Sequence, residues 1–274
     1  MKSSMARKAF QALGIFLAGV AFLTPVIWVI SLSLRNKKTV FTALFFTRDL
    51  HFENYITALT SFHMGRLFLN SAIITGVSVA VILAVSSLAA YAFCRLRYRG
   101  SEIFFYLILM GMMIPPAAVV IPLFLIMKNL GLYNTHLALV LAYIAFGLPI
   151  AVLIFRGFFL SVPPELIEAA RIDGSAETRT FVSIILPLST PAIATVVIFS
   201  FMQNWNEFLL GLVLLKDRLL YTLPVGMANL VGQWDSPWQL IAAAVVIASL
   251  PIFIIYLMIQ DLYVRGLTAG ALKG

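Results

Sequence analysis

Leu67-Phe-Leu-Asn-Ser-Ala-Ile-Ile-Thr-Gly-Val-Ser-Val-Ala-Val-Ile-Leu-Ala-Val-Ser-Ser-Leu-Ala-Ala-Tyr-Ala-Phe-Cys94 contains no charged side chain. It exceeds the roughly 20 residues that a helix needs to cross about 30 Å of hydrocarbon. Its apolar residues are continuous rather than alternating, which excludes a barrel strand, and a helix satisfies its own backbone groups in lipid.

Similar uncharged runs lie on both sides: Phe10 to Leu34, Ile103 to Met127, Asn129 to Phe155, Thr180 to Asn206 and Ser236 to Gln260. Together they predict an all-α polytopic membrane protein with six transmembrane helices at 10–34, 67–94, 103–127, 132–155, 185–212 and 238–260. A cytoplasmic loop is expected at 156–184, and residues 1–274 form one membrane domain. With 62% hydrophobic and 11% charged residues and a mean hydropathy of +1.01, the composition is not that of a water-soluble domain. Lys2, Arg7 and Lys8 precede the first run, but it is too long for a cleaved leader and lacks an Ala-x-Ala site before Arg35, so it reads as a retained signal anchor.

The net charge of +8 is spread over short connections rather than gathered into a stripe, which argues against nucleic acid. With the amino terminus in the cytoplasm, the inner segments hold Lys2, Arg7, Lys8, Arg95, Arg97, Arg99, Arg156, Arg171, Arg179, Arg265 and Lys273. The outer ones hold the other eight basic residues, so the positive-inside rule places both termini in the cytoplasm. The lone Cys94 permits no internal disulfide and reads as packing.

Between Arg35 and Arg66 the chain mixes charge with Phe41, Phe45, Phe46, Phe52, Tyr55 and Phe62, as in a segment lying against a membrane surface or a partner. The basic turn from Cys94 to Gly100 reads as a headgroup anchor. Pro115-Pro116 is expected to break the third helix, as a hinge or as a packing bend.

The chain changes character at Pro163-Pro-Glu-Leu-Ile-Glu-Ala-Ala-Arg-Ile-Asp-Gly174 and Ser175-Ala-Glu-Thr-Arg-Thr-Phe-Val-Ser-Ile-Ile-Leu-Pro187. This predicts two short helices: proline pre-sets the first turn, Gly174 supplies the left-handed stop, and Ser175 caps the second helix. Leu166, Ala169 and Ala170 are expected on one side of the first helix, with Glu165, Glu168 and Arg171 around them. An amphipathic helix lying on the bilayer is the competing explanation.

Glu168-Ala-Ala, three residues, Gly174, nine residues and Ile184-x-Leu-Pro187 resemble the coupling-loop signature of bacterial ABC importer permeases without a gap or substitution. Ala170-Arg-Ile-Asp-Gly174, Leu186-Pro-Leu188 and the terminal Val264 to Gly274 resemble the carbohydrate-uptake branch, specifically its maltose-type second permease. The resemblance extends over nearly the whole chain and implies a type I ABC importer permease in a bacterial or archaeal cytoplasmic membrane.

In that family the loop helix enters a cleft on a separate ATPase, so Glu168, Ala169, Ala170, Asp173 and Gly174 are implied to carry ATPase coupling. The resemblance also implies two ATPases that bind ATP and Mg, a second permease in a heterodimer, and an extracytoplasmic solute-binding protein. It gives Gly266 to Gly274 a docking or regulatory role. The chain itself has no phosphate-binding loop and no metal-ligand cluster, so it is expected to be no enzyme and to hold no catalytic residue, cofactor or metal.

Ser200-Phe-Met-Gln-Asn-Trp-Asn-Glu207 interrupts the fifth span. At 100° per residue Ser200, Gln203, Asn204 and Glu207 share a face, and amides beside Trp205 suit sugar hydroxyls and a sugar's apolar face. Gln203, Asn204, Trp205 and Glu207 are the candidate substrate-pathway residues. Glu207 also lies about 30 Å along a helix from Pro187, which would put the cluster at the outer interface instead. Polar residues of the second span, Asn70, Ser71, Thr75 and Ser78, suit helix–helix hydrogen bonds. A proton-driven transporter would need a relay of buried ionisable groups where Glu207 stands alone, and a glycerol-phosphate importer would need cations inside the spans.

Overall fold

A computed structural model of the chain describes residues 2–41, 49–96, 99–231 and 236–271. Phe45, Phe46, Arg48, Arg97, Tyr98 and the last three residues of the tail lie outside them. The described residues contain helices and no strand. The helices are α1 (Lys2–Ser33), α2 (Glu53–Ser61), α3 (Met64–Arg95), α4 (Ser101–Met110), α5 (Pro116–Asn129), α6 (His136–Ser161), α7 (Pro164–Ile172), α8 (Glu177–Thr180), α9 (Leu186–Leu188), α10 (Thr190–Trp205), α11 (Leu209–Leu214), α12 (Leu223–Ala228) and α13 (Trp238–Ala271). Phe10–Ser33, Met64–Arg95, His136–Ser161 and Trp238–Met258 are each long and apolar enough to cross a membrane.

Two further segments qualify only as bent pairs. Ser101–Met113 and Pro116–Asn129 meet at 103°. There Ile114 and Pro115 are extended, and Pro116 opens the new helix where its missing N–H costs nothing. Glu177–Leu188 and Thr190–Trp205 meet at 75°, so the fifth uncharged run is not the single rod that its hydropathy suggests. Pro187 cannot donate to the preceding turn, and the backbone widens to i→i+5 spacing over Phe181–Ile185 just before it. Pro191 then restarts the helix beyond Ser189.

The chain divides into two compact units. The first comprises residues 1–65 and 226–250. Within it α1 is exposed along most of its length, as expected of a span whose surroundings are lipid or another chain. Its end is closed by side chains: Asn54 Nδ2 donates to the carbonyls of Ser33 (2.9 Å) and Arg35 (2.8 Å), and the Ser33 and Tyr55 hydroxyls are 2.6 Å apart. Arg35 is itself buried, with its guanidinium over the Trp28 ring and an Nη1 bond to the Val40 carbonyl. It is therefore an internal strut of this unit. The amphipathic α2 buries Asn54 and Ala58 and exposes Phe52, Ile56 and Leu59. Just before it His51 is held between Glu53 and Asp49, whose hydrogen bonds, that from Glu53 foremost, raise the pKa of its imidazole above the ordinary value.

The second unit, residues 66–225 and 251–274, carries the larger core. One cluster centres on Ile82, Tyr91, Phe155, Phe159, Phe181 and Ile185, and a second on Ile74, Leu139, Tyr143, Leu210 and Leu214. Gly147 lets α6 approach α3 closely: a Cβ there would lie 2.5 Å from Ile82 Cδ1. Two members of the polar stripe of the second span bond not to a neighbouring transmembrane helix but to the backbone of the connection after α11 and the start of α12. Asn70 donates to the carbonyls of Leu219 and Tyr221, and Ser71 Oγ accepts from the Leu223 N–H.

Candidate functional site

The loop between α6 and α10 is built on α7. Pro164 occupies its first turn with Glu165, and its last turn holds Arg171. The helix stops at Gly174, whose φ of +74° is left-handed. The Gly174 N–H donates to the Arg171 carbonyl (3.0 Å) and the Ser175 N–H reaches back to Ala170 (2.9 Å), the paired bonds of a Schellman stop. A Cβ on Gly174 would meet no atom within 4 Å, so backbone angle and not space requires glycine there.

Ser175 does not cap the next helix. Its backbone is committed to the stop, its hydroxyl accepts from Thr180 Oγ1, and Ala176 precedes α8 without a side-chain cap. The expected grouping of Leu166, Ala169 and Ala170 also divides. Ile167 (3% exposed) and Ala170 (6%) turn inward to the core, while Leu166, Glu168, Ala169, Ile172 and Asp173 are exposed. The helix starts at Pro164 as expected, but its inward line falls on Ile167 and Ala170, three apart, which form its anchoring stripe. Ile172 is 87% exposed, an isoleucine that α7 presents outward in full.

Three residues outside the expected set hold α7 in place. Arg95 Nη2 donates to the carbonyls of Phe159 (2.7 Å) and Val162 (2.9 Å), closing the end of α6 just ahead of α7. Arg95 is thus an internal clamp rather than a headgroup anchor. Glu177 accepts the Tyr91 hydroxyl at 2.6 Å on Oε2, and on Oε1 it accepts Arg171 through Nη2 (2.6 Å) and Nε (3.0 Å). A cleft of about 640 Å³ between these elements is lined by Cys94, Arg95, Pro164, Ile167, Glu168 and Arg171.

At the other end of α10 the sequence had grouped Ser200, Gln203, Asn204 and Glu207. Ser200 and Asn204 are buried, on the inward line of Ala192 and Val196. Their Oγ and Nδ2 atoms have no hydrogen-bond partner among the described residues. Gln203 instead shares the outward stripe with Phe199, Met202 and Asn206. Trp205 is 3% exposed, stacked on Phe201 at 15° with centroids 5.2 Å apart, and meets Phe68 edge-on.

Glu207 lies beyond the end of α10, so the helical phase that joined it to Gln203 does not apply. It accepts the N–H groups of Leu210 (2.7 Å) and Gly211 (3.1 Å) at the start of α11, and the Tyr143 hydroxyl (3.1 Å) from α6. These contacts make it a structural cap, and replacing it would disturb the fold together with any transport role. Among the described residues no group of three His, Cys, Asp or Glu could hold a metal ion.

Residues 76–269 match the family described as "Binding-protein-dependent transport system inner membrane component". The chain is 34% identical over 277 residues to the trehalose/maltose transport system permease protein MalG of Thermococcus litoralis, covering all of both chains. It is 35% identical to the trehalose transport system permease protein SugB of Mycobacterium tuberculosis, covering 98% of this chain and 99% of that one. The probable ABC transporter permease protein YurM of Bacillus subtilis is 33% identical, over 95% and 87% of the two chains. In fold the chain resembles a subunit of a bacterial ABC transporter that imports the acidic polysaccharide alginate, with a TM-score of 0.83, 24% identity and 95% of this chain covered.

Proposed function

The chain belongs to the family of binding-protein-dependent transport system inner membrane components, and from that premise we propose that it forms half of the translocation pathway of an ATP-driven importer for a di- or oligosaccharide. A second permease would supply the other half, two separate ATPase subunits would bind ATP and Mg, and an extracytoplasmic binding protein would deliver the solute. The observation that carries this reading is α7. It is fixed by its inward stripe and by the Gly174 stop, and it presents Leu166, Glu168, Ala169, Ile172 and Asp173 outward. An outward face containing apolar side chains of this kind suits insertion into a groove on a partner.

Glu168, Ala169, Asp173 and the backbone at Gly174 would contact the ATPase, with Ala170 anchoring from behind. On the solute side Gln203 is the candidate that the geometry favours, flanked by Phe199 and Asn206, while Asn204, Trp205 and Glu207 support that stripe from within. Amides with an adjacent aromatic ring suit a neutral sugar. Purification of the tagged chain from its native membrane should bring an ATPase subunit and a second permease with it. Ala169→Arg should lose the ATPase and keep the permease partner. Recovery of a lone chain that transports sugar, or full ATPase retention by Ala169→Arg, would overturn the reading.

A further inference from the structure

We propose that Glu177 is the positioning residue through which displacement of α7 reaches the second span, each carboxylate oxygen being committed to one of the two elements. The inference rests on α7 being the docking helix and adds the route by which its motion is passed on. Arg171 stands in the last turn of α7, three residues before the rigid stop at Gly174, and gives both Nη2 and Nε to Glu177 Oε1. Two donors from one guanidinium fix its orientation as well as its position. The other oxygen takes the Tyr91 hydroxyl from α3, 86 residues away in sequence.

Tyr91 is 5% exposed, and its ring lies against Phe159 (6.4 Å, edge-on) and Phe181 (5.1 Å). A tyrosine held in this way can move only with α3. Arg95, one turn further along α3, grips the carbonyls that lead into α7. The second span therefore holds the docking helix at its entrance through Arg95 and at its exit through Tyr91 and Glu177.

The Arg171 and Glu177 side chains are 51% and 39% exposed, so their ion pair adds little to stability. Its consequence is directional: with Arg171 and Tyr91 sharing one carboxylate, a swing of α7 away from α3 must either carry α3 with it or break a bond to Glu177. Removing the link should therefore alter coordinated movement while leaving the folded complex as stable as before.

The test uses the assembled complex in lipid, with Cys94→Ser and spin labels at Glu165→Cys on α7 and Leu88→Cys on α3, both exposed positions. The label separation is measured without nucleotide and after trapping with ATP, Mg and vanadate. With Glu177 and Tyr91 intact, the distribution should stay single and unshifted on trapping. In Tyr91→Phe and in Glu177→Gln, a second population displaced by several ångström should appear at an unchanged thermal midpoint, and ATP hydrolysis should lose most of its stimulation by the binding protein. Arg171→Lys, which keeps the cation, should restore part of the coupling that Arg171→Ala loses. Identical distributions in the intact and substituted complexes would overturn the proposal, as would a distance change that appears only with a matching fall in thermal midpoint. Retention of the ATPase on purification is scored separately: its absence in the unsubstituted chain would remove the docking reading itself.

Discussion

At Gly174 a single residue sets where α7 ends. An L side chain in the left-handed region costs about 1–2 kcal/mol. Because a Cβ would touch nothing there, Gly174→Ala should show that backbone cost without a packing clash. The expected outcome is faster amide exchange at Gly174 and Ser175, about tenfold for a loss of about 1.4 kcal/mol, with the rest of the second unit unchanged. Unaltered exchange at both amides would mean that the stop does not depend on glycine. Gly174 was legible in the sequence because a glycine closing an amphipathic run has a local cause. Glu177 was not: its partners are Arg171, across the helix stop, and Tyr91, 86 residues away. No periodicity links such positions. Glu207 was misplaced for a related reason, since the helical phase applied to it is valid only while the helix continues, and α10 ends at Trp205.

Between elements, α6 approaches α3 closely at Gly147, which faces the fully buried Ile82. Gly147→Leu should force the two helices apart or drive Ile82 off its rotamer, at a cost of about 1–3 kcal/mol. The expected readout is a lower thermal midpoint for the purified complex, partly recovered when Ile82→Ala is added to Gly147→Leu. Equal midpoints for the single and double variants would show that this contact does not limit packing. The same contrast decides which breaks in the spans could be read in advance. Pro115-Pro116 announces the 103° turn because two adjacent prolines remove consecutive donors and the first is held extended. A proline kink is legible at Pro191 as well, but not a turn of 75° at Ser189: Pro187 and Pro191 are each compatible with a first helical turn, and only the widened backbone over Phe181–Ile185 shows how they combine. The short α2 was hidden in the same way, because its aromatic residues suited any surface segment and its tie to the end of α1 runs through Asn54.

For the whole chain, hydropathy made the helical membrane class legible, since continuous apolar runs have only one backbone solution in lipid. Orientation rests on a smaller margin, 11 basic residues against eight, and on the requirement that α7 face the compartment that holds ATP. With the proposed coupling role, both arguments lead to the expectation that Ile172 lies in the cytoplasm and Lys216, in the connection after α11, on the outer side. Both positions are exposed, so each can report its side. In a Cys94→Ser background and in membranes that lack the ATPase subunits, which would cover Ile172, Ile172→Cys should react with a membrane-impermeant maleimide only in inverted vesicles, and Lys216→Cys only in intact cells or right-side-out vesicles. Because the two residues are separated by the broken fifth span, the paired result also tests whether Glu177–Leu188 and Thr190–Trp205 together complete one crossing. Labelling of both cysteines from the same side would make the 75° turn a re-entrant loop and reduce the number of crossings. The reverse pattern, Ile172 outside and Lys216 inside, would remove α7 from reach of any cytoplasmic ATPase and with it the coupling role.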